Sequence, residues 1–173
     1  MAYEYRSSIG QDSHRFVDRQ QLPATQEESR RPLMLGGVCI DGGVPLAGNS
    51  DADVILHALT NAVSGLTGQN ILGEISDRMC QAGVTDSAAY LDRALETLGD
   101  WQLRHLSFTV EGKRPHLAKW IDRICTHVAE LTGIERAAVC LTATTGEGLT
   151  GFGCGDGLQV FCILTARRDA PNP

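Results

Sequence analysis

Two hydrophobic periods alternate along the chain, and this alternation restricts the fold more than any single residue does. Leu117, Ile121, Ile124, Val128 and Leu131 recur at helical period on a segment opened by Pro115 and closed by Gly133. Just upstream, Leu106, Phe108 and Val110 alternate with Ser107, Thr109 and Glu111, the pattern of a half-buried strand over residues 101–112. Val54, Leu56, Ala58, Leu59, Ala62, Val63 and Leu66 predict another helix, with Ser50 or Asp51 as its cap and Asp53 in its first turn. A third, starting at Thr85 or Asp86, carries Ala88, Leu91, Ala94, Leu95 and Leu98 on one side. Strands are expected over 5–16, 33–40, 137–144 and 158–166, with the Gly36-Gly37 pair marking a bulge or a close backbone approach. Residues 68–83 carry no clear period.

Three helices against four or five strands make an α/β two-layer sandwich, one mixed sheet with helices packed on it. A chain of 173 residues encloses a real core, and no Pro, Gly or Ser-rich stretch divides it. One domain spanning residues 1–173 is therefore expected. The polar stretch 18–31, rich in Gln, Glu and Arg, reads as an exposed loop, and the tail 167–173 is expected to fray.

Charge and composition narrow the partners. A formal net charge of -6 without any basic run argues against a nucleic-acid groove, which needs clustered Lys and Arg. No apolar run approaches the roughly 20 residues that span a bilayer, and no leader segment is read, so neither membrane nor secretion is supported. Cys39, Cys80, Cys125, Cys140, Cys154 and Cys162 form no C-x-x-C pair and fall mostly in apolar segments. They read as buried, reduced thiols of a cytoplasmic protein.

Asp12 and His14 sit two apart in the first expected strand, so their side chains share a face. A carboxylate and an imidazole on one face supply two corners of a tetrahedral zinc site, with a third needed from elsewhere and a fourth left for water or substrate. Taken alone, the pair reads as a surface or capping feature. His57, one turn inside its helix, reads alone as a core histidine bonded to a carbonyl. The segment 145–157 has six glycines in thirteen residues, which lets a backbone approach closely and turn its amides inward.

Read in order, Gly-x-Asp-x-His-x-Phe, Leu-Gly-Gly-Val, Ser-Asp-Ala-Asp-Val-x-Leu-His-Ala, Thr-Asp-Ser and Ala-Thr-Thr-x-Glu-x-Leu resemble the 2-C-methyl-D-erythritol 2,4-cyclodiphosphate synthase family, over residues 8–165. The resemblance implies an enzyme of non-mevalonate isoprenoid biosynthesis. It also implies a homotrimer whose active sites lie between subunits, one giving zinc ligands and its neighbour much of a cytidine pocket. By position, Asp12, His14 and His57 match the zinc ligands, and Glu147 matches the carboxylate for a second cation, Mg2+ or Mn2+. Thr145 matches the threonine that orients the diphosphate. Strand-end capping stays open for Thr144 and Thr145. Ser13, Ser50, Gly73, Asp77, Lys113, Pro115, His116, Ala143, Thr144 and Gly146 fall at substrate-binding positions. Asp51 and Asp53 read as capping and loop-ordering residues, with a bond toward a zinc histidine as the other option.

The chain departs from the family pattern at four places. Asn49 stands where a histidine is usual and offers a phosphate oxygen only a neutral hydrogen bond. Ile71 stands near a usual aspartate, and Glu74-Ile75-Ser76-Asp77-Arg78 replaces a Phe-Pro-Asp-Thr-Asp lid, with Asp77 as a partial stand-in. His116 replaces a lysine after Pro115, leaving Lys113 or Arg114 to reach the same phosphate. Cys154 replaces an arginine linked in some members to an anionic prenyl ligand, which is not expected here. Two other readings stand beside the family enzyme: a paralogue acting on a different nucleotide diphosphate, and a non-catalytic trimeric binder.

Overall fold

A computed structural model describes residues 2–17 and 31–170. The long strand β1 (Tyr3–Arg15) runs antiparallel to β6 (Gly157–Asp169), pairing Asp12 with Val160 and His14 with Leu158. β6 in turn pairs antiparallel with β4 (Gln102–Glu111), and β4 pairs parallel with β5 (Val139–Thr144). The order β1-β6-β4-β5 is a mixed four-stranded sheet.

Alternation decides its two faces. Leu103, Leu106, Phe108 and Val110 of β4 and Leu158, Val160, Cys162, Leu164 and Ala166 of β6 are buried beneath the helices. On the other face of β1 and β6, Tyr3, Tyr5, Ile9, Phe161 and Ile163 are exposed.

Helix α1 (Val54–Thr67) lies directly on β1, and Gly10 makes that possible. A Cβ on Gly10 would meet the Ala58 carbonyl oxygen at 2.0 Å and the Ala62 nitrogen at 2.3 Å. Only glycine lets strand and helix touch backbone to backbone here, and the Ser8 hydroxyl adds a 2.6 Å bond to the Ala62 carbonyl. This close approach places His57, one turn inside α1, over the Asp12–His14 face of β1.

The cap of α1 is Asp53 itself, not Ser50 or Asp51. Its buried carboxylate accepts from the amides of Ile55, Leu56, Gly36 and Gly37, so one side chain closes the helix start and ties it to a distant turn. That turn is where the glycine pair lies. Gly36 and Gly37, with φ of 60° and 74°, reverse the chain between β2 (Leu33–Leu35) and β3 (Val38–Ile40). The expected single strand is therefore a two-residue hairpin, because positive φ at both central residues matches the strand twist.

Among the described residues there are five α-helices where three were expected. The segment without a clear period forms α2 (Glu74–Gln81), which buries only Ser76 and so shows no long apolar stripe. α3 (Ser87–Leu95) is capped by Asp86 and stops before Leu98. α4 (Ile121–Thr132) begins six residues after Pro115, because a turn closed by bonds from Trp120 and Ile121 to the Leu117 carbonyl intervenes. The Arg114–Pro115 peptide is cis. The glycine-rich segment folds into a 3-10 turn at Gly146–Gly148 and the short α5 (Gly151–Cys154).

Two expectations about the edges change. Of the tail 167–173, Arg167, Arg168 and Asp169 do not fray; they pair with Tyr5, Glu4 and Tyr3, and Arg168 bonds Glu4, while residues 171–173 lie outside the described residues. Of the exposed loop 18–31, residues 18–30 lie outside the described residues, and Arg31 is half-buried, donating to the carbonyls of Gly48 and Ser50. All six cysteines are unpaired, but only Cys125 and Cys162 are buried. Cys39 and Cys140 occupy outward positions of their strands, which an apolar neighbourhood in sequence does not reveal.

Candidate active site

The strand–helix contact brings Asp12, His14 and His57 together. Asp12 Oδ2 lies 3.0 Å from His14 Nε2 and 3.0 Å from His57 Nδ1, and the two nitrogens are 3.3 Å apart. Metal–ligand bonds of about 2.0–2.1 Å at tetrahedral angles place neighbouring ligand atoms about 3.3 Å from one another. The triangle has that size, and its donor set, two imidazoles and one carboxylate, suits a zinc-type ion. Among the described residues this is the one cluster of its kind.

Each ring is held from its far side. His14 Nδ1 faces the Ala47 carbonyl at 2.8 Å, and a carbonyl can only accept, so Nδ1 carries the proton and Nε2 turns its lone pair to the triangle. His57 Nε2 faces the Ser87 hydroxyl at 2.9 Å. Burial opposes ionisation of Asp12, but hydrogen bonds and charge from His14 and His57 prevail and hold its carboxyl well below the usual carboxylate range. Burial likewise lowers the His14 pKa, yet the bond to Asp12 and its charge raise it above the ordinary value.

The triangle floors a cavity of about 210 Å³. Asn49 and Ser50 from the loop before α1 line it, with Leu72, Ser76, Asp77 and Cys80 from the α2 region and Tyr90 from α3. That loop is ordered by side chains: Ser50 Oγ accepts from the Ala52 amide and Asp51 Oδ1 from the Asp53 amide. These bonds hold Ala52 at a φ of 56°, a left-handed conformation that costs a non-glycine residue about 1 kcal/mol or more. Asp77 lines the cavity from α2. Gly73 does not line it; with φ of 126° it caps α2, its amide donating to Ser76 Oγ. Ser13 points away, because odd positions of β1 face the uncovered side of the sheet.

A second cavity, about 230 Å³, opens at the β4–β5 end. Lys113, Pro115, His116, Ala143, Thr144 and Thr145 line it, over Val110, Leu117 and Leu158. Thr144 serves as a turn cap, accepting from the Gly146 amide, whereas the Thr145 side chain makes no capping bond. Arg114 stacks over the Phe16 ring, with its guanidinium carbon 4.9 Å from the ring centre. Glu147 is exposed on the 3-10 turn at a φ of 51°, between Gly146 and Gly148, and does not join the triangle.

β1 and β5 are opposite edges of the sheet. Three strand spacings of about 4.8 Å separate them by roughly 14 Å, so one chain presents the Asp12–His14–His57 corner and the Thr144–Thr145 corner at different edges.

Sequence reasoning missed Leu72, Ser76, Cys80, Tyr90 and Ser87. A signal for two of them existed: Ser87 belongs to the Thr-Asp-Ser motif, and Tyr90 lies three residues on, on the same face of α3.

An α/β sandwich in which a strand and a helix bring two histidines and an aspartate together as a group that could hold a metal ion, with a separate threonine-lined pocket at the β4–β5 end, has the layout of a small-molecule enzyme. More specifically, residues 5–167 match the YgbB family model, and the chain belongs to that family. It is similar to the 2-C-methyl-D-erythritol 2,4-cyclodiphosphate synthase of Chlamydia muridarum, 43% identical over 170 residues, covering 97% of this chain and 91% of the relative. The Chlamydia abortus protein of the same name is 42% identical over 163 residues, covering 93% of this chain and 88% of the relative. Among solved structures, the bifunctional IspDF of Campylobacter jejuni superposes with a TM-score of 0.83 at 24% identity, over 97% of this chain and 43% of that one. That likeness concerns the fold alone.

Proposed function

We propose that the chain is a single-domain 2-C-methyl-D-erythritol 2,4-cyclodiphosphate synthase, working as a homotrimer. The Asp12–His14–His57 triangle carries this reading, in a chain whose curated relatives bear that name over nearly their full length. In the reaction, the 2-phosphate of 4-diphosphocytidyl-2-C-methyl-D-erythritol 2-phosphate attacks its own β-phosphorus. The new P–O bond closes an eight-membered ring, the bond to the α–β bridging oxygen breaks, and CMP leaves with that oxygen.

A phosphate monoester is already ionised near neutral pH, so the residues must position the substrate and absorb charge; no dedicated base is required. Asp12, His14 and His57 would hold Zn2+, and Glu147 would hold Mg2+ or Mn2+. When bound, such ions supply positive charge to the phosphoryl oxygens. Thr145 orients the diphosphate with Thr144, while Asn49 and Ser50 donate to oxygens above the triangle. Lys113, Pro115, His116 and Ala143 hold the nucleotide side, and Asp77 faces the methylerythritol hydroxyls.

The separation of the two corners supports a trimer in which one subunit's triangle faces its neighbour's Thr145 pocket. So does the uncovered sheet face. Ile9 and Ile163 are paired in register there at 62% and 50% exposure, next to Phe161 and Tyr5, an apolar patch suited to burial between copies. Unpaired cysteines fit a cytoplasmic location. Among the described residues no helix is long and apolar enough to cross a membrane.

The test is to incubate the protein with the diphosphocytidyl substrate, zinc and magnesium and follow phosphorus NMR. Cyclic diphosphate appearing together with CMP, and lost in His57→Ala, is the expected result. Zinc-loaded protein that forms neither product would transfer the reading to a different nucleotide diphosphate.

A further inference from the structure

The two histidines of the triangle are braced differently, and the brace on His57 ends in groups to which the reaction assigns no role. Ser87 is fully buried at the first position of α3. Its hydroxyl lies 2.9 Å from His57 Nε2 and makes a short hydrogen bond to Asp51 Oδ1, while its amide donates to Asp51 Oδ2 at 3.2 Å. Asp51 is held in turn from the backbone, its amide donating to the Thr85 carbonyl at 2.9 Å. Ser50 Oγ is the other hydroxyl near Nε2, but at 3.5 Å it stands at the limit of a hydrogen bond and already accepts from Ala52.

Proton counting gives this arrangement a direction. A carboxylate can only accept, so the single hydroxyl proton of Ser87 is committed to Asp51. What Ser87 then offers His57 is a lone pair, so Nε2 must carry the imidazole proton and Nδ1 must be the free nitrogen. Nδ1 is the atom 3.0 Å from Asp12 and 3.3 Å from His14 Nε2. The carbonyl of Ala47 does the same for His14 with the opposite tautomer.

We propose that Ser87, carried by Asp51, is the positioning residue that fixes the His57 tautomer and ring plane for metal binding. This rests on the metal reading of the triangle. The Asp51 charge polarises the Ser87 hydroxyl, which makes its oxygen a better acceptor and the ring a more basic ligand. α3 is thereby part of the metal centre although it contributes no ligand.

The test is zinc affinity of the intact protein, by competition against a chromophoric chelator, with cobalt absorption spectra as a second readout. Ser87→Ala should weaken zinc binding by about tenfold to a hundredfold and shift the cobalt bands, while Ser87→Thr, which keeps the hydroxyl, should recover most of the loss. Asp51→Asn, which keeps an acceptor but loses the charge, should fall between Ser87→Ala and wild type. Ser87→Ala binding zinc within about twofold of wild type, with unchanged cobalt bands, overturns the role of Ser87 and leaves the metal reading standing. If that variant does not fold, Asp51→Asn decides, and wild-type affinity there overturns the proposal. Wild-type protein that takes up no zinc overturns the metal reading and this inference with it.

Discussion

The metal corner and the Thr145 corner differ in how much of their order one chain supplies. Asp12, His14 and His57 come from elements that touch along their lengths, and both imidazoles are fixed from behind. Thr144, Thr145 and Glu147 are exposed on a glycine-rich turn, and the Thr145 side chain makes no capping bond. A site needs preorganised groups on both sides of the reacting phosphates. One chain therefore holds the Asp12–His14–His57 corner in place by its own contacts, whereas the Thr145 corner is left exposed to solvent.

The sharpest way to break this comparison is at the metal corner. Asp12→Ala should lower turnover by about a thousandfold or more, since several kcal/mol of charge stabilisation go with the metal. Zinc content should fall with it while circular dichroism is retained; activity without zinc would discard the ligand assignment. At the other corner, Thr145→Ala should reduce kcat by about a hundredfold with zinc affinity unchanged, as for loss of one preorganised donor. If zinc binding weakened as well, the corners would not be independent.

Mixing the two inactive variants sharpens the point. In trimers reassembled from equal amounts of Asp12→Ala and Thr145→Ala, one site in four combines two intact corners, so roughly a quarter of wild-type activity should return. No recovery in verified mixed trimers would mean that each chain builds its site alone.

Smaller effects concern stability. Gly10→Ala should destabilise the protein by about 1–3 kcal/mol or more, read as a lower denaturant midpoint, because a methyl group there meets the backbone of α1. The mildest effect is on pH. The depressed Asp12 pKa contributes stability that is present above its ordinary 3.8 and is lost as pH falls through the lower folded value. The raised His14 pKa contributes stability that is complete below its ordinary 6.5 and is lost as pH rises through the higher folded value. Metal-free protein should therefore melt highest between those two values, and Asp12→Asn should flatten the profile. A flat profile in the wild-type protein would mean that the pair is not formed without metal.

The Asp12–His14–His57 group was legible because its residues lie in short motifs on regular elements. Asp12 and His14 share a face by strand alternation, and His57 lies one turn into a helix whose apolar positions are plain in sequence. Ser13 shows the limit of motif matching: it stands between Asp12 and His14, and the same alternation turns it to the opposite face. α2 escaped detection because an eight-residue helix packed by few side chains leaves no stripe. Pro115 misled because Pro favours a helix start, whereas here it lines the second cavity and a turn separates it from α4.

By itself the sequence determined the periods, and with them the four strands of the main sheet, the three longer helices and the Asp12–His14–His57 candidates. These depend on neighbours within a few positions, and local sterics and apolar patterning act over that range. Tertiary structure alone decided that β1 meets α1 at Gly10, that Asp53 joins a helix start to a hairpin sixteen residues away, and that Asp51 and Ser87 stand behind His57. Hydrogen bonds and close contacts between residues far apart in sequence are satisfied only once the layers pack, and local patterning does not specify which pairs will meet.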